Sequence, residues 1–219
     1  MPSSLVTLST PISLSDAQRD KLSDYADQLA YFNKRINLIS PNTVDEIWSR
    51  HIEHSLVLTI RTFPDGAHVV DWGTGGGLPV VPMAICFPKV SFTGVDAVSK
   101  KTQAVRAMAR RLGLDNLDLW HGRAEAWDGT AHYSISRATA PLRTLWQWHH
   151  RISVPLSTSS EDWAPGLICL KGGDLQSGEL RSECDQLAES YPDVKIFNQP
   201  VDTITPSPLF SSKYILHIH

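Results

Sequence analysis

The sequence of 219 residues has little or nothing of several features that place a chain in a functional class. No apolar run approaches the ~20 residues of a membrane-spanning helix, and the first ten residues lack the pattern of a secretion signal. The three cysteines, Cys86, Cys169 and Cys184, are an odd number without metal-ligand spacing. We therefore expect a cytoplasmic protein with reduced thiols, no membrane association and no disulfide framework.

A large excess of positive charge is also absent, since the net charge is −3. The charges are unevenly distributed, however, because residues 100–151 carry nine Lys and Arg against four Asp and Glu. This basic middle segment is compatible with an anion-binding face, or simply with one solvated helix. Composition alone leaves both interpretations open.

A metal site is not predicted. The histidine pairs at 149–150 and at 217 and 219 have no carboxylate or cysteine partner at ligand spacing. We expect no metal.

The pattern of apolar residues changes near residue 63. Before it, apolar residues at spacings of three and four predict a helix that begins with a capping box at Ser15 and Gln18. A second helix is predicted after Pro41, with a capping box at Thr43 and Glu46. We predict a helical N-terminal cap over 1–62 and an α/β body over 63–219.

In the second part, short β-branched runs alternate with helical patterns, which predicts a parallel sheet covered on both faces. Strands are expected around 67–72, 90–96, 117–120, 133–136, 166–171, 194–197 and 214–219. Helices are expected from about 79, from an N-cap at Ser99, over 141–150 and over 175–190. The segment 156–165 is predicted to be an exposed insertion.

The segment VVDWGTGGGLP at 69–79 follows the first predicted strand, where doubly wound sheets bind their ligands. Its spacing is D-x-G-x-G-x-G, from Asp71 through Gly73, Gly75 and Gly77. Position 78 is Leu78, where a dinucleotide fingerprint needs glycine, and no G-K-[ST] follows for a P-loop. Glycines here allow positive φ and the close approach of a ligand, although a tight turn with packing glycines is an alternative.

Two acids limit the choice of ligand. Asp71 would repel a pyrophosphate but suits a cationic amino group, and Asp96, at the end of the second predicted strand, can accept hydrogen bonds from ribose hydroxyls. A ribose, no phosphate and a cationic amino-acid end describe S-adenosylmethionine, which we predict as the cofactor.

Several further segments, together with the glycine loop, carry a resemblance to a known family. They are FNKRINLIS (32–40), W-x-R-H-I (48–52), VDAVSKK (95–101), RRLGL (110–114), HGRAE (121–125), ISRA (135–138) and LKGG (170–173). In order and spacing they resemble the bacterial small-subunit (16S) ribosomal RNA guanine-N7 methyltransferases, also called glucose-inhibited division protein B or methyltransferase G. The resemblance extends from about residue 31 to residue 171.

The resemblance implies a class I S-adenosylmethionine-dependent methyltransferase fold, a Rossmann-like seven-stranded sheet with an N-terminal helical cap. It implies methyl transfer to N7 of one guanine in small-subunit ribosomal RNA, within a partly assembled ribosomal particle. Gly73 and Leu78 match the family's cofactor loop, and Ala124 and Glu125 match its adenine-side contacts. Arg137 matches an arginine near cofactor and target, and we predict it as the catalytic residue. Positions matched to, or predicted for, RNA contact are Lys100, Arg123, Lys171 and Lys213.

The chain departs from the family at three places: His54 stands where an acid is usual, Trp72 where a small aliphatic residue is usual, and Lys213 where many members have arginine. A lysine cannot make a bidentate fork, so a phosphate clamp at Lys213 is weakened.

Two motifs that other methyl-transfer reactions use are absent from the sequence, which agrees with the expected chemistry. Guanine N7 carries a lone pair and no proton, so its attack needs alignment rather than a general base. We find neither an Asn/Asp-Pro-Pro-aromatic loop for exocyclic amines nor a Pro-Cys nucleophile for pyrimidine rings. The alternatives are a methyltransferase for a small molecule or protein, a nicotinamide or nucleotide-sugar oxidoreductase, and a non-catalytic RNA-binding relative. For oligomeric state, a monomer is the default expectation.

Overall fold

A computed structural model describes residues 13–137 and 139–219. The expectation that the first ten residues hold no secretion signal concerns a segment outside these residues. Seven strands form one sheet in the order β3-β2-β1-β4-β5-β7-β6. They are β1 His68–Trp72, β2 Ser91–Asp96, β3 Leu117–His121, β4 Tyr133–Arg137, β5 Gly166–Gly172, β6 Ile196–Pro200 and β7 Lys213–Ile218. Strands β1 to β5 pair in parallel, whereas β7 runs antiparallel to β5 and β6.

The helices alternate with the strands, as the sequence predicted. They are α1 Asp16–Asn33, α2 Glu53–Leu56, α3 Val80–Cys86, α4 Ser99–Arg111, α5 Leu142–Ile152 and α6 Gly178–Ser190. The central strand β1 is buried from Val69 to Trp72, as expected for a parallel strand that is covered on both faces. Its β-branched and apolar run therefore reads as a core strand.

The strand register gathers the carboxyl ends of the parallel strands at one edge. Asp71 of β1 lies opposite Gly94 of β2 and Ile135 of β4. Asp96 and Arg137, each two residues further along its own strand, therefore extend past Asp71 on either side. This edge receives the glycine loop, so the two predicted acids and the predicted arginine come together at one place.

The segment before β1 is only partly as predicted. Helix α1 begins with the predicted capping box, in which Ser15 and Gln18 bond each other's backbone N–H. The second predicted helix is not continuous: it is divided into 3-10 turns at Pro41–Glu46 and Val57–Ile60, a π turn at Trp48–Ile52 and the short α2. The capping box at Thr43 is wrong, because its hydroxyl donates to Ser40 O and contacts His51 instead.

The boundary between a cap and a body at residue 63 stays a prediction. One hydrophobic cluster includes Leu22 and Leu29 of α1 together with Val69 of β1 and Val81 of α3. The α1 helix therefore packs on the face of the sheet that carries α3.

The segment 156–165 was predicted as an exposed insertion, and this is wrong for its last part. Trp163 is 4% exposed, and its indole N–H donates to Leu58 O at 3.0 Å. The Tyr133 hydroxyl donates to Trp163 O at 2.8 Å. Residues 157–161 are polar or acidic and are exposed, as predicted, whereas Trp163 is buried by its contacts with the rest of the protein.

Candidate active site

The glycine loop leaves the end of β1 and enters α3 through a turn held by backbone hydrogen bonds. The N–H groups of Gly73 and Thr74 both donate to Val95 O at 2.9 Å, which ties the loop to β2. The N–H of Gly77 then donates to Thr74 O at 2.8 Å. The buried Tyr25 hydroxyl of α1 donates to Gly76 O at 2.8 Å. The loop is thus fixed from the sheet on one side and from the N-terminal helix on the other.

The three glycines of the motif all adopt positive φ, with values of 70° at Gly73, 57° at Gly75 and 94° at Gly77. Their surroundings differ. A Cβ at Gly73 would clash with Thr139, and one at Gly77 would lie 2.6 Å from Val81 Cγ2. Packing within the protein therefore explains these two glycines.

Gly75 is different, because a Cβ there would meet no atom closer than 3.8 Å. No side chain of the described residues fills the space beside it. Of the glycines at 73, 75 and 77, this one leaves room for a ligand to approach the backbone.

Asp71 is fully buried. Its Oδ2 accepts a hydrogen bond from the Thr74 hydroxyl at 2.7 Å, while its Oδ1 has no partner of hydrogen-bond geometry in the described residues. Burial raises the Asp71 pKa to about 7, against the smaller opposing effects of the Thr74 hydroxyl, the Val80 backbone N–H and the positive charge of Arg137. A cationic group at Oδ1 would compensate this burial, so the carboxyl fits the amino group of S-adenosylmethionine.

Asp96 holds the loop from the neighbouring strand. It is 8% exposed, its Oδ2 accepts from Gly75 N–H at 2.9 Å and its Oδ1 accepts from Val98 N–H at 2.8 Å. The prediction of Ser99 as N-cap is wrong, because Ser99 is the first residue of α4 and Val98 is its N-cap. A carboxylate has about four acceptor positions, so Asp96 keeps acceptor capacity for ribose hydroxyls.

Arg137 is partly buried at the end of β4. Its Nη1 donates to His51 Nδ1 at 3.1 Å, and no carboxylate of the described residues forms a salt bridge with it. Burial lowers the Arg137 pKa, against opposing effects of Tyr25 and Asp71. The guanidinium thus lies near Asp71, and most of its N–H donors are uncommitted within the described ranges.

The other predicted cofactor positions lie on the same edge. Leu78 is buried at the end of the glycine loop. Ala124, which is buried, and Glu125, which is exposed, form a 3-10 turn just after β3. The Gly122 N–H donates to Asp96 O at 3.1 Å, which brings this turn beside Asp96.

The predicted RNA-contacting residues separate into two groups. Lys100 and Arg123 are exposed, and Lys213 is partly buried with its side chain against Gly172. Lys171 is 8% exposed, and its Nζ donates to Ala140 O and to Glu183 Oε2, both at 2.8 Å. Lys171 is therefore occupied within the protein, contrary to the picture of a free surface charge, and contact with RNA stays a prediction.

Sequence reasoning missed the individual roles of Tyr25, Thr74 and His51. Tyr25 was expected only as part of the apolar face of α1, which it is, but its hydroxyl also holds the loop. His51 belongs to the W-x-R-H-I motif, which was the available signal for it. Its contact with Arg137 spans 86 residues and could not be read from local spacing.

No helix in residues 13–137 and 139–219 has the length and apolar character to cross a bilayer. Within the same ranges, no group of three His, Cys, Asp or Glu side chains is placed to hold a metal ion.

Comparison with known proteins identifies relatives by sequence. A family described as "GidB: rRNA small subunit methyltransferase G" matches residues 18–158. The "Ribosomal RNA small subunit methyltransferase G" of Salinibacter ruber is 49% identical over 208 residues, with 94% of each chain covered. The protein of that name from Chlorobium luteolum is 39% identical over 209 residues, covering 94% of this chain and 83% of the relative. The resemblance stated from the sequence is confirmed.

Solved structures with similar folds are more distant in sequence. A SAM-dependent methyltransferase from Aquifex aeolicus matches with a TM-score of 0.55 and 14% identity, over 87% of this chain and 97% of its own. An O-methyltransferase from Bacillus cereus, solved in complex with SAH, matches with a TM-score of 0.54 and 14% identity, over 94% of this chain and 92% of its own. The predicted class I methyltransferase fold is confirmed.

Proposed function

This chain belongs to the rRNA small subunit methyltransferase G family, and we propose that it methylates N7 of one guanine in small-subunit ribosomal RNA, with S-adenosylmethionine as the methyl donor. The observation that carries the proposal is the combination of two features of the described residues: Asp71 Oδ1 is buried without a hydrogen-bond partner, and open space lies beside Gly75. A cationic nucleoside would satisfy the first and occupy the second. The names of the relatives supply the class of RNA.

The residues fit the cofactor as follows. Asp71 would receive the amino group, and Asp96 would accept hydrogen bonds from the ribose while it continues to hold the loop. The backbone of Gly73, Gly75 and Gly77, with Leu78, would contact the amino-acid and ribose portions. The turn that contains Ala124 and Glu125 would lie on the adenine side. Arg137 would contact the cofactor or the target guanine.

The chain's own residues need to provide alignment and a dry pocket. When bound, S-adenosylmethionine would supply a methyl group on a sulfonium: the N7 lone pair of guanine would form the N–CH3 bond as the S–CH3 bond breaks, without loss of a proton. The products would be S-adenosylhomocysteine, a neutral thioether, and a 7-methylguanine that carries the positive charge. Arg137 cannot donate to N7 without blocking the nucleophile, so we assign its uncommitted N–H donors to O6, a phosphate or the cofactor. Asp71 and Tyr25 are fully buried, so a polar contact made with Asp71 would lie away from bulk water and be stronger than one at the surface.

RNA would approach across the exposed side of this edge. Lys100 and Arg123 offer exposed charges there, and Lys213 has no salt-bridge partner among the described residues. Lys171 would have to leave Glu183 before it could contact a phosphate.

The setting of the reaction is also part of the proposal. We place the protein in the cytoplasm, as a monomer that acts on ribosomal RNA within a ribosomal particle. The names of the relatives support ribosomal RNA, and the reduced cysteines are usual for a cytoplasmic protein. Attack of a lone pair on a sulfonium methyl needs no metal ion, so none is proposed.

The test is methyl transfer from labelled S-adenosylmethionine to small ribosomal subunits isolated from a strain that lacks the gene, followed by mass mapping of methylated guanines. We expect one N7-methylguanine, with free ribosomal RNA as a second substrate for comparison. Label in protein or small molecules without label in RNA would contradict the proposed substrate. Binding of NADH without binding of S-adenosylmethionine would contradict the cofactor.

A matched pair of variants tests the position of the cofactor. Gly75→Val should abolish cofactor binding by calorimetry, because its side chain would enter the open space beside the loop. Gly113→Val is the control, since Gly113 has a similar φ of 63° and open surroundings, but lies after α4. Equal cofactor affinity of the two variants would show that the site is misplaced, whereas equal loss of helical circular dichroism would indicate backbone strain at both.

A further inference from the structure

His51 is the side chain that holds Arg137, and its two ring nitrogens have distinct partners. Nδ1 lies 3.1 Å from Arg137 Nη1, and Nε2 lies 2.8 Å from Thr43 Oγ1. A guanidinium can only donate, so Nδ1 must accept. In a neutral ring the proton is then on Nε2 and is donated to the Thr43 hydroxyl, which itself donates to Ser40 O at 2.9 Å.

These hydrogen bonds form a chain with one direction, from Arg137 through His51 and Thr43 to a backbone carbonyl. The chain requires the neutral imidazole, because a protonated ring has no acceptor for Arg137. Burial and the charges of Arg137 and Arg50 lower the His51 pKa to about 4, so the ring is neutral at neutral pH.

The backbone that carries His51 is unusual. Residues 48–52 form a π turn between a 3-10 turn and α2, and such turns occur frequently at functional sites. The Ser55 hydroxyl donates to His51 O at 2.8 Å and fixes this turn. The ring is therefore held at its backbone and at Nε2 before it meets Arg137.

Arg137 has no comparable restraint of its own. Within the described residues its side chain forms no salt bridge, and its contact with His51 is the hydrogen bond that fixes its direction. One of its five N–H donors is used, and the others remain for a ligand at the edge that holds Asp71 and the glycine loop.

We propose that His51 is a positioning residue for methyl transfer: its neutral imidazole orients the Arg137 guanidinium toward the bound cofactor and guanine. This inference rests on the proposed function, because it assigns His51 to the same site. It predicts that an acceptor at the position of Nδ1, rather than the size or polarity of the side chain, determines activity.

The experiment compares three variants of His51 in methyl transfer to small ribosomal subunits. His51→Asn places its amide oxygen near the position of Nδ1, whereas His51→Gln places its amide near that of Nε2 and His51→Leu offers no acceptor. We expect His51→Leu and His51→Gln to lower kcat/KM by about 10- to 100-fold, and His51→Asn to recover most of this loss. Similar losses in all three variants, or losses that follow their thermal stability, would overturn the proposal.

A double-mutant cycle separates positioning from stability. In the Arg137→Ala background, His51→Leu should cause little further loss of kcat/KM, because the group that it orients is gone. Independent, additive losses would overturn the inference. Thr43→Val should cause a smaller loss than His51→Leu, and Thr43→Ser should restore it, since the hydroxyl selects the Nε2–H tautomer.

The outcomes distinguish this inference from the proposed function. If wild-type protein methylates ribosomal RNA and His51→Leu is equally active, the inference fails and the function stands. If wild-type protein does not methylate RNA, calorimetry with S-adenosylmethionine decides the inference alone. Weaker binding in His51→Leu than in His51→Asn would support it, and equal binding would overturn it.

Discussion

Asp71→Asn tests how burial affects the ionisation of the carboxyl group at the start of the glycine loop. The substitution keeps the shape and an oxygen for the Thr74 hydroxyl, but removes the ionisable group. Burial raises the Asp71 pKa from 3.8 to about 7 in the folded protein. The folded state therefore binds more protons than the unfolded state between these values, and the unfolding free energy falls as pH rises.

The expected size of the effect follows from this difference. A difference of about three pH units corresponds to about 4 kcal/mol, of which about 2–3 kcal/mol develops between pH 5 and pH 8. Over this range the wild type should lose about 2–3 kcal/mol of unfolding free energy relative to Asp71→Asn. Histidines with lowered pKa values, such as His51 and His54, also titrate against pH, but they are present in both proteins and cancel in the comparison.

Urea denaturation at pH 5, 6, 7 and 8 measures this difference directly. Asp20→Asn is the matched control, because the same chemical change at an exposed carboxylate should leave the pH dependence parallel to that of the wild type. If the difference between wild type and Asp71→Asn is the same at all four values, the reasoning about burial is refuted.

The same acid should couple cofactor binding to proton release. The amino group of S-adenosylmethionine favours the ionised carboxylate, so binding at pH 6 should release a proton from Asp71. Calorimetry in buffers with different ionisation enthalpies would detect it. Asp71→Asn should bind more weakly and without this release, and an unchanged proton count would place the amino group elsewhere.

Two further predictions concern the neighbouring acid and the buried ion pair. Asp96→Ala should weaken cofactor binding by about 1–3 kcal/mol in calorimetry, since it removes a charged acceptor; unchanged affinity would argue against its role. Lys171→Met should lower the unfolding free energy in urea by about 1–3 kcal/mol, because the partly buried Glu183 carboxylate loses its cationic partner while it keeps the hydrogen bond from the Leu142 N–H. Adding Glu183→Gln, which removes the charge and keeps an oxygen for the Leu142 N–H, should recover much of that loss, and a double variant no more stable than the single one would contradict this explanation.

The sequence predicted the sheet well because a parallel core strand has a strong local signal. In the run from His68 to Trp72 every residue after His68 is buried, and the buried residues other than Asp71 are apolar. The loop that follows was predicted from glycine spacing, since Gly73, Gly75 and Gly77 all need positive φ. Local constraints of this kind involve residues that are adjacent in the chain, so they can be recognised from the sequence.

Features decided by distant contacts were not predictable in the same way. The stretch after Pro41 has helical spacing, yet tertiary contacts such as that between His51 and Arg137 accompany a backbone of 3-10 and π turns. Trp163 lies in a polar segment, and its indole N–H bonds the carbonyl oxygen of Leu58, which is distant in the sequence. The pairing of Lys171 with Glu183 joins a strand to a helix, so no periodic pattern could reveal it.

From the sequence, Asp71 is expected to receive a cationic amino group and Asp96 to accept ribose hydroxyls. The structure adds that the two carboxyl groups differ in how far their oxygens are already bonded. Asp96 accepts two backbone N–H groups, which offset much of the free-energy cost of burying its carboxylate. One of these bonds, from the Gly75 N–H, also fixes the glycine loop. Among the described residues, Asp71 accepts the Thr74 hydroxyl, is influenced by the Val80 N–H, and keeps Oδ1 without a partner of hydrogen-bond geometry. A cation that arrives at the loop therefore changes the free energy of Asp71 far more than that of Asp96. We therefore expect recognition of the charged end of the ligand to depend on Asp71, and the shape of the loop that admits the ligand to depend on Asp96.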